Sequence, residues 1–233
     1  MLTHNLSISV LGQRVGLLVP ITYRHLRGKE APKEEMRRAH LLGWGVELLR
    51  ASTQVSRDTM QSQDHNSVLE QGVPLQGDNS WIQRHKLGPK AFNDATLLQC
   101  GINVLLNKHF SDDSRYLHYI QTFQEGILSN SVSNLLAFRN HPSRRPGLAG
   151  NYSMKTYKAL VRNNVANASY FLPVSLALHL SGLSQPSVHQ QAKAVFNEVG
   201  YFADLNRDYA NCYLGDEPTR DIRLYADLEQ AMT

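Results

Sequence analysis

The sequence predicts an all-α bundle. Several long stretches carry apolar residues at three- and four-residue spacing, none sustains period-two alternation, and the main Pro and Gly clusters fall between the helical stretches. In the first strong stretch Met36, Ala39, Leu42, Val46 and Leu49 recur at helical spacing. Pro32, Glu34 and Glu35 supply an N-terminal start whose acidic charge suits the positive end of the helix dipole. A polar stretch from Ser62 to Ser80, with Gly72, Pro74 and Gly77, breaks this pattern. A second helix is expected over Ala91 to Asn107 and a third over Ser114 to Phe138.

The run from His141 to Gly147 is rich in turn-formers. Beyond it Met154 to Val165 and Tyr170 to Leu180 read as two helices separated by a kink at Pro173. Gly182 to Pro186 ends that pair, and Val188 to Tyr213 is the last strong helix. No internal repeat or linker divides the chain, so residues 1–233 read as one domain.

A hydrophobic fraction of 42% in 233 residues is enough for a sizeable core, and 19% charged residues argues against disorder. The net charge of +4 suits a small anionic ligand. The 24 Lys and Arg are scattered without a run, which excludes a nucleic-acid footprint. Cys100 and Cys212 are far apart and in no C-x-x-C pair, so they read as buried small hydrophobes of a reducing compartment. Met1 to Pro20 is interrupted by Gln13 and Arg14 and makes a poor signal peptide. No apolar run reaches the length of a membrane span, so a soluble, cytoplasmic protein is expected. The Asn-x-Ser triplets at Asn5, Asn151 and Asn167 then carry little meaning.

Two helical stretches about 150 residues apart hold the functional clue: Arg57-Asp58-Thr59-Met60-Gln61 and Arg207-Asp208-Tyr209-Ala210-Asn211. Around them lie Leu42-Gly43-Trp44-Gly45-Val46-Glu47-Leu48-Leu49, Trp81-Ile82-Gln83 with Asn93-Asp94-Ala95, Tyr157-Lys158, Tyr170-Phe171-Leu172-Pro173, Phe196-Asn197-Glu198-Val199-Gly200 and Cys212-Tyr213-Leu214-Gly215-Asp216. In order and spacing these resemble the farnesyl diphosphate synthases, within the short-chain polyprenyl diphosphate synthase family, from about Val19 to Glu229. The resemblance implies an isoprenoid-synthase-type helical bundle around a central cavity, here incomplete at both ends. It also implies transfer of an allylic diphosphate's prenyl group to isopentenyl diphosphate, with Mg²⁺ on the leaving group. Each motif in that family is D-D-x-x-D, whose first and last carboxylates share one helix face and hold the metal. Counting side chains, each motif falls from three negative charges in the family to zero here, which leaves Asp58 and Asp208 as remnants of the metal site.

Other positions depart as well. The Arg-Arg-Gly after the first motif becomes Glu70-Gln71-Gly72. The G-Q-x-x-D turn becomes Asn130-Ser131-Val132-Ser133-Asn134, a Lys-Thr pair becomes Asn164-Val165, and the Phe-Gln before the second motif becomes Ala203-Asp204. The G-K-x-x-R-G element is kept in part as Arg24-His25-Leu26-Arg27-Gly28. The two aromatic residues that floor the family's product cavity fall on Ser52 and Thr53, which implies a deeper, more polar pocket.

The candidate diphosphate-binding residues are therefore Arg24, Arg27, Arg57, Lys158 and Arg207, since guanidinium forks match phosphate oxygens. The bland reading of Arg57 and Arg207 is drift in a copy no longer selected for catalysis, and it outweighs direct anion binding because the other phosphate ligands are gone. Lys155 and Lys158 fit a solvated basic edge equally well. Asp112-Asp113 reads as a helix cap, and the ten histidines, with no i,i+4 pair, read as core-edge or surface residues. Three function classes remain. The first is a degenerate family member, homodimeric or paired with an intact relative. The others are a working prenyltransferase or terpene synthase with altered product, and a metal-independent prenyl-ligand binder.

Overall fold

A computed structural model describes residues 14–28, 31–69, 87–139 and 154–213, all helix or short connections, with no strand among them. A 3-10 turn at Val15–Leu17 leads into α1 (Leu18–Arg27). Then come α2 (Lys33–Leu69), α3 (Ala91–Phe110), α4 (Tyr116–Arg139), α5 (Met154–Val161), a π-helical segment (Arg162–Phe171), α6 (Leu172–Leu180) and α7 (Pro186–Tyr213). The expected helices are present with shifts at their ends. The largest shift is in α2, which continues to Leu69 through the polar residues after Ser62. The turn-rich run at 141–147 and the segment around Trp81 lie outside the described residues.

The kink expected at Pro173 is instead a change of helix type upstream. Proline has no N–H and its ring crowds the carbonyl four residues back, so an α-ladder running straight into Pro173 loses a bond and meets a clash. Widening the preceding ten residues to i→i+5 pairing lets helix continue from Met154 to Leu180 without a break, with the Leu172 N–H bonded to the Asn167 carbonyl.

All nine residues of α6 are buried, which makes it the central rod of the bundle. Around it Val19 and Tyr23 of α1, Leu42, Val46 and Leu49 of α2, Ile102, Leu106 and Phe110 of α3, and Tyr119 and Phe123 of α4 form one core with Leu172, Leu176 and Leu180. A second, smaller cluster joins Tyr157 and Val161 of α5 to Tyr201 and Leu205 of α7. Two close approaches require glycine. A Cβ on Gly16 would strike the Gly43 backbone, and one on Gly200 would strike the backbone of Ala166 in the π-helical segment.

These contacts set the direction of each helix. The chain between α1 and α2 is only five residues long, and Gly16 lies against Gly43, so the two helices are antiparallel. α2 therefore starts where α1 ends and carries Arg57 to the far end. Cys100 corrects the sequence expectation of a buried thiol: it is exposed. α3 turns Ala95, Ile102 and Leu106 inward, which puts Leu97, Cys100 and Val104 together on its outer face. Cys212 lies outside the described side chains. No helix among the described residues is long and apolar enough to cross a membrane.

Candidate functional site

The first motif occupies the far part of α2, and the second occupies the last turns of α7. α7 begins beside the end of α6, where the His179 and His189 rings stack, and runs away from there. α2 begins at the same end, where Arg38 pairs with Asp113 in the turn before α4. The two motifs consequently reach the same end of the bundle, called the motif end below. Whether Arg57 and Arg207 face one another lies outside the described residues, as do the side chains of Gln61, Asp208 and Asn211.

Arg57 is half-buried and engaged. Asp58 accepts a 2.7 Å hydrogen bond at Oδ1 from Gln54 Nε2, one turn earlier on the same helix. Lys158 is exposed on α5, with its Nζ 5.2 Å from the centre of the Tyr201 ring, a cation–π contact that ties α5 to α7. Tyr201 is six residues before Arg207, about 9 Å along the helix, so Lys158 belongs to the motif end.

The structure does not bring Arg24 and Arg27 to that end. Both are exposed on the last turn and a half of α1, beside the start of α2. Arg57 lies 24 residues beyond Lys33, or about 36 Å at the helical rise. The basic residue on the other end of α1 is Arg14, exposed and two positions before Gly16, whose N–H donates to Glu47 at 2.7 Å. Sequence reading passed over Arg14. The signal that marks it is the glycine after it, required for the contact with α2.

Ser52 and Thr53 are polar as expected, and both hydroxyls are hydrogen-bonded. Ser52 is fully buried, and its Oγ accepts from Gln99 Nε2 of α3 at 2.9 Å. Thr53 Oγ1 donates to the Leu49 carbonyl and accepts from Asn130 Nδ2 of α4 at 3.0 Å. The two hydroxyls thus tie α2 to α3 and α4 at the positions where the resemblance places bulky aromatic residues.

Mg²⁺ asks for about six oxygen ligands in near-octahedral geometry. Of the five residues of the first motif, Asp58 is the one carboxylate, and one of its oxygens is already bonded to Gln54. Among the described residues no three His, Cys, Asp or Glu side chains lie together so as to hold a metal. Among the described side chains, Asp58 alone represents the family's metal-binding carboxylates.

A charge network among the described residues lies at the opposite end. Asp113, a helix cap by sequence, is the hub of a buried network. Its carboxylate takes bonds from Arg38 Nη1 at 2.7 Å, from Arg115 Nε and Nη2 at 2.7 Å each, and from the Arg115 backbone N–H at 2.9 Å. Its side chain is 2% exposed. Burial pushes the Asp113 carboxyl up, but the hydrogen bonds from Arg115 and the charges of Arg115 and Arg38 more than offset this and hold it below the usual carboxylate range. Arg115 also donates to the Leu180 carbonyl at the end of α6 and reaches Glu35. Tyr119, fully buried beside the network, has its hydroxyl pushed up by burial.

A family model described as Polyprenyl synthetase matches residues 7–232. The chain belongs to the polyprenyl synthetase family. A farnesyl pyrophosphate synthase from Bos taurus is 32% identical over 216 residues, covering 92% of this chain and 58% of its own length. One from Saccharomyces cerevisiae is 28% identical over 215 residues, covering 90% of this chain and 58% of its own. One from Gallus gallus is 28% identical over 199 residues, at 85% and 52%. The chain spans about half the length of the curated relatives it matches. An all-α bundle without strands among the described residues is what membership of this polyprenyl synthetase family leads one to expect.

Proposed function

We propose that this chain keeps the helical frame of a farnesyl diphosphate synthase-like protein and has lost, or nearly lost, Mg²⁺-dependent prenyl transfer. The observation that carries the reading is the state of Asp58: the one carboxylate left in the first motif is bonded to Gln54 on its own helix, between Arg57 and neutral neighbours. Ionising an allylic diphosphate requires positive charge on the departing diphosphate, and in this chemistry divalent metal supplies most of it. Arg57 and Arg207 bring charge, with a single carboxylate beside each, Asp58 and Asp208, where the family has three. Arg24 and Arg27 stand about 36 Å from Arg57 by the rise of α2. Lys158, held over Tyr201, is the nearest other candidate for an anion at the motif end.

Condensation of geranyl and isopentenyl diphosphates with Mg²⁺ tests this. Loss of metal charge costs several kcal/mol in the transition state, so the expected rate is roughly a thousandfold or more below an ordinary enzyme's. Turnover on the order of 1 s⁻¹ would overturn the proposal. Calorimetric titration with an allylic diphosphate, with and without Mg²⁺, separates a residual binder from an inert frame.

The reading also makes the chain a partner for a protein of its own fold, either a second copy or an intact relative. The outer face of α3 exposes Leu97 and Val104, and that of α4 exposes Leu117, Leu128 and Leu135. Contiguous apolar area of this kind on paired helices favours association. Sedimentation of the chain alone and mixed with a farnesyl diphosphate synthase distinguishes the two partners. A monomer in both samples at micromolar concentration would remove this part of the proposal.

A further inference from the structure

Three histidines from three helices are stacked at the end opposite the motifs. The His118 ring of α4 lies 4.7 Å from the His179 ring of α6 with 3° between their planes. The His179 ring lies 4.2 Å from that of His189 on α7, at 30°. Hydrogen bonds fix the inner two. His189 Nε2 faces the Leu183 carbonyl at 3.0 Å; a carbonyl only accepts, so this nitrogen carries the hydrogen. In the neutral ring Nδ1 is then the acceptor, and it takes the Ser175 hydroxyl at 3.0 Å. His179 Nδ1 bonds Ser184 Oγ at 2.9 Å. The column thus joins the start of α7 and the connection before it to α6 and α4.

A stack at this spacing tolerates neutral rings and resists charged ones. A proton on an inner ring is desolvated, and a second would sit against the first at van der Waals distance in a medium that screens poorly. Among the described residues the ionisable groups acting on His179 are His189 and His118, and those acting on His189 are His118 and Glu125. Of the nearby cations, Arg115 is held by Asp113 and the Leu180 carbonyl, and Lys193, a turn along α7, lies over the Phe171 ring.

We propose that the column of His118, His179 and His189 is an acid-sensitive latch that clamps the first turn of α7 to α6 and α4 while His179 and His189 are neutral and releases it when those two are protonated. Burial, then the neighbouring His189 and His118, push His179 down to about 4. Burial also lowers His189, against the opposing pull of the Leu183 carbonyl and Glu125. The closed arrangement therefore binds protons less well than the open one. The latch is shut above the ordinary histidine value of 6.5 and is driven open as pH falls from there toward 4. α7 carries the second motif at its other end, so what opens is the anchor of that helix.

Two measurements on the full chain test the latch. The first is an NMR titration of the histidine rings, in which His179 should titrate far below pH 6.5. The second is hydrogen exchange over residues 183–195 at pH 7.5, 5.5 and 4.5, corrected for intrinsic rates. Protection there should fall at least tenfold more than in the buried part of α3, and His179→Phe, which keeps a ring in the column, should abolish that excess. A His179 midpoint near 6.5 overturns the proposal, as does equal loss of protection in wild type and variant. If His179→Phe does not fold, the wild-type titration and the position of its exchange loss decide the question.

Discussion

The two ends of this bundle hold similar residues in opposite states. At one end Asp113 is 2% exposed and takes four hydrogen bonds from two arginines. At the other, half-buried Asp58 accepts a hydrogen bond from the Gln54 amide one turn earlier on its own helix. The first carboxylate ties together α2, α4 and the end of α6, whereas the bond shown for the second ties nothing outside α2. The difference teaches that a carboxylate buried among helix ends can anchor several helices at once, whereas a bond one turn back along a helix braces that helix alone.

The strongest test of this contrast is Asp113→Ala. Removing the carboxylate leaves partly buried Arg38 without its partner and Arg115 with only the longer contact to Glu35, and breaking a buried pair in this way typically destabilises by about 3–5 kcal/mol. Urea unfolding measures it, and a loss below about 1 kcal/mol, the usual size for an exposed pair, would show that the network is ornamental. The pH dependence supplies a second readout. The folded Asp113 carboxyl is held below its ordinary 3.8, so its stabilisation is complete above that value and is lost as pH falls through the lower folded one. Asp113→Asn should lack this acid limb. The histidine column acts at higher pH, between 6.5 and about 4, so the two effects separate on one titration.

Much of the helical frame was legible because it rests on local periodicity. Ala39, Leu42, Val46 and Leu49 repeat at helix spacing and are all buried. What escaped depends on residues distant in sequence. No pattern in the chain shows that His118, His179 and His189 meet, since they come from three helices and none has a neighbour at i+4. Asp113 read as a cap because the residues around it resemble a helix start, and its burial is set by Arg38, 75 positions earlier. Cys100 was misread because free cysteines are usually buried, although the register of Ala95, Ile102 and Leu106 already turns it outward. The π-helical segment has no composition of its own, and Pro173 announced only that something must give way. For the candidate site, the helices that carry the motifs were readable. Which end of α1 points toward them was not, because that follows from the Gly16 contact with Gly43.

The contrast sharpens along α7. Its later half leans on the π-helical segment through Gly200, where an added Cβ would meet the Ala166 backbone. Gly200→Ala should therefore push the two helices apart. Overpacking of this kind typically costs about 1–3 kcal/mol, against the gain in helix propensity that alanine gives elsewhere. Stabilisation by this variant would mean that α7 is free to shift and that the small core of Tyr157, Val161, Tyr201 and Leu205 is loosely held. Thermal unfolding with a tyrosine probe would read both outcomes.

The smallest expected effect is the most discriminating for function. Asp58→Ala removes a half-buried carboxylate with its hydrogen bond from Gln54 and its other contacts, so the loss of stability should stay within about 1 kcal/mol. The same variant should leave the response to Mg²⁺ unaltered, because a single carboxylate flanked by Arg57 holds the ion too weakly to stabilise the fold by mass action. A ligand that binds the folded chain at a concentration a hundred times its dissociation constant adds about 2.7 kcal/mol, which a melting curve resolves easily. Millimolar Mg²⁺, alone or with pyrophosphate, should move the wild-type midpoint no more than it moves that of Asp58→Ala. A metal-dependent rise present in the wild type and absent in the variant would place a working ion at the motif end, and the contrast between the two carboxylates would collapse there.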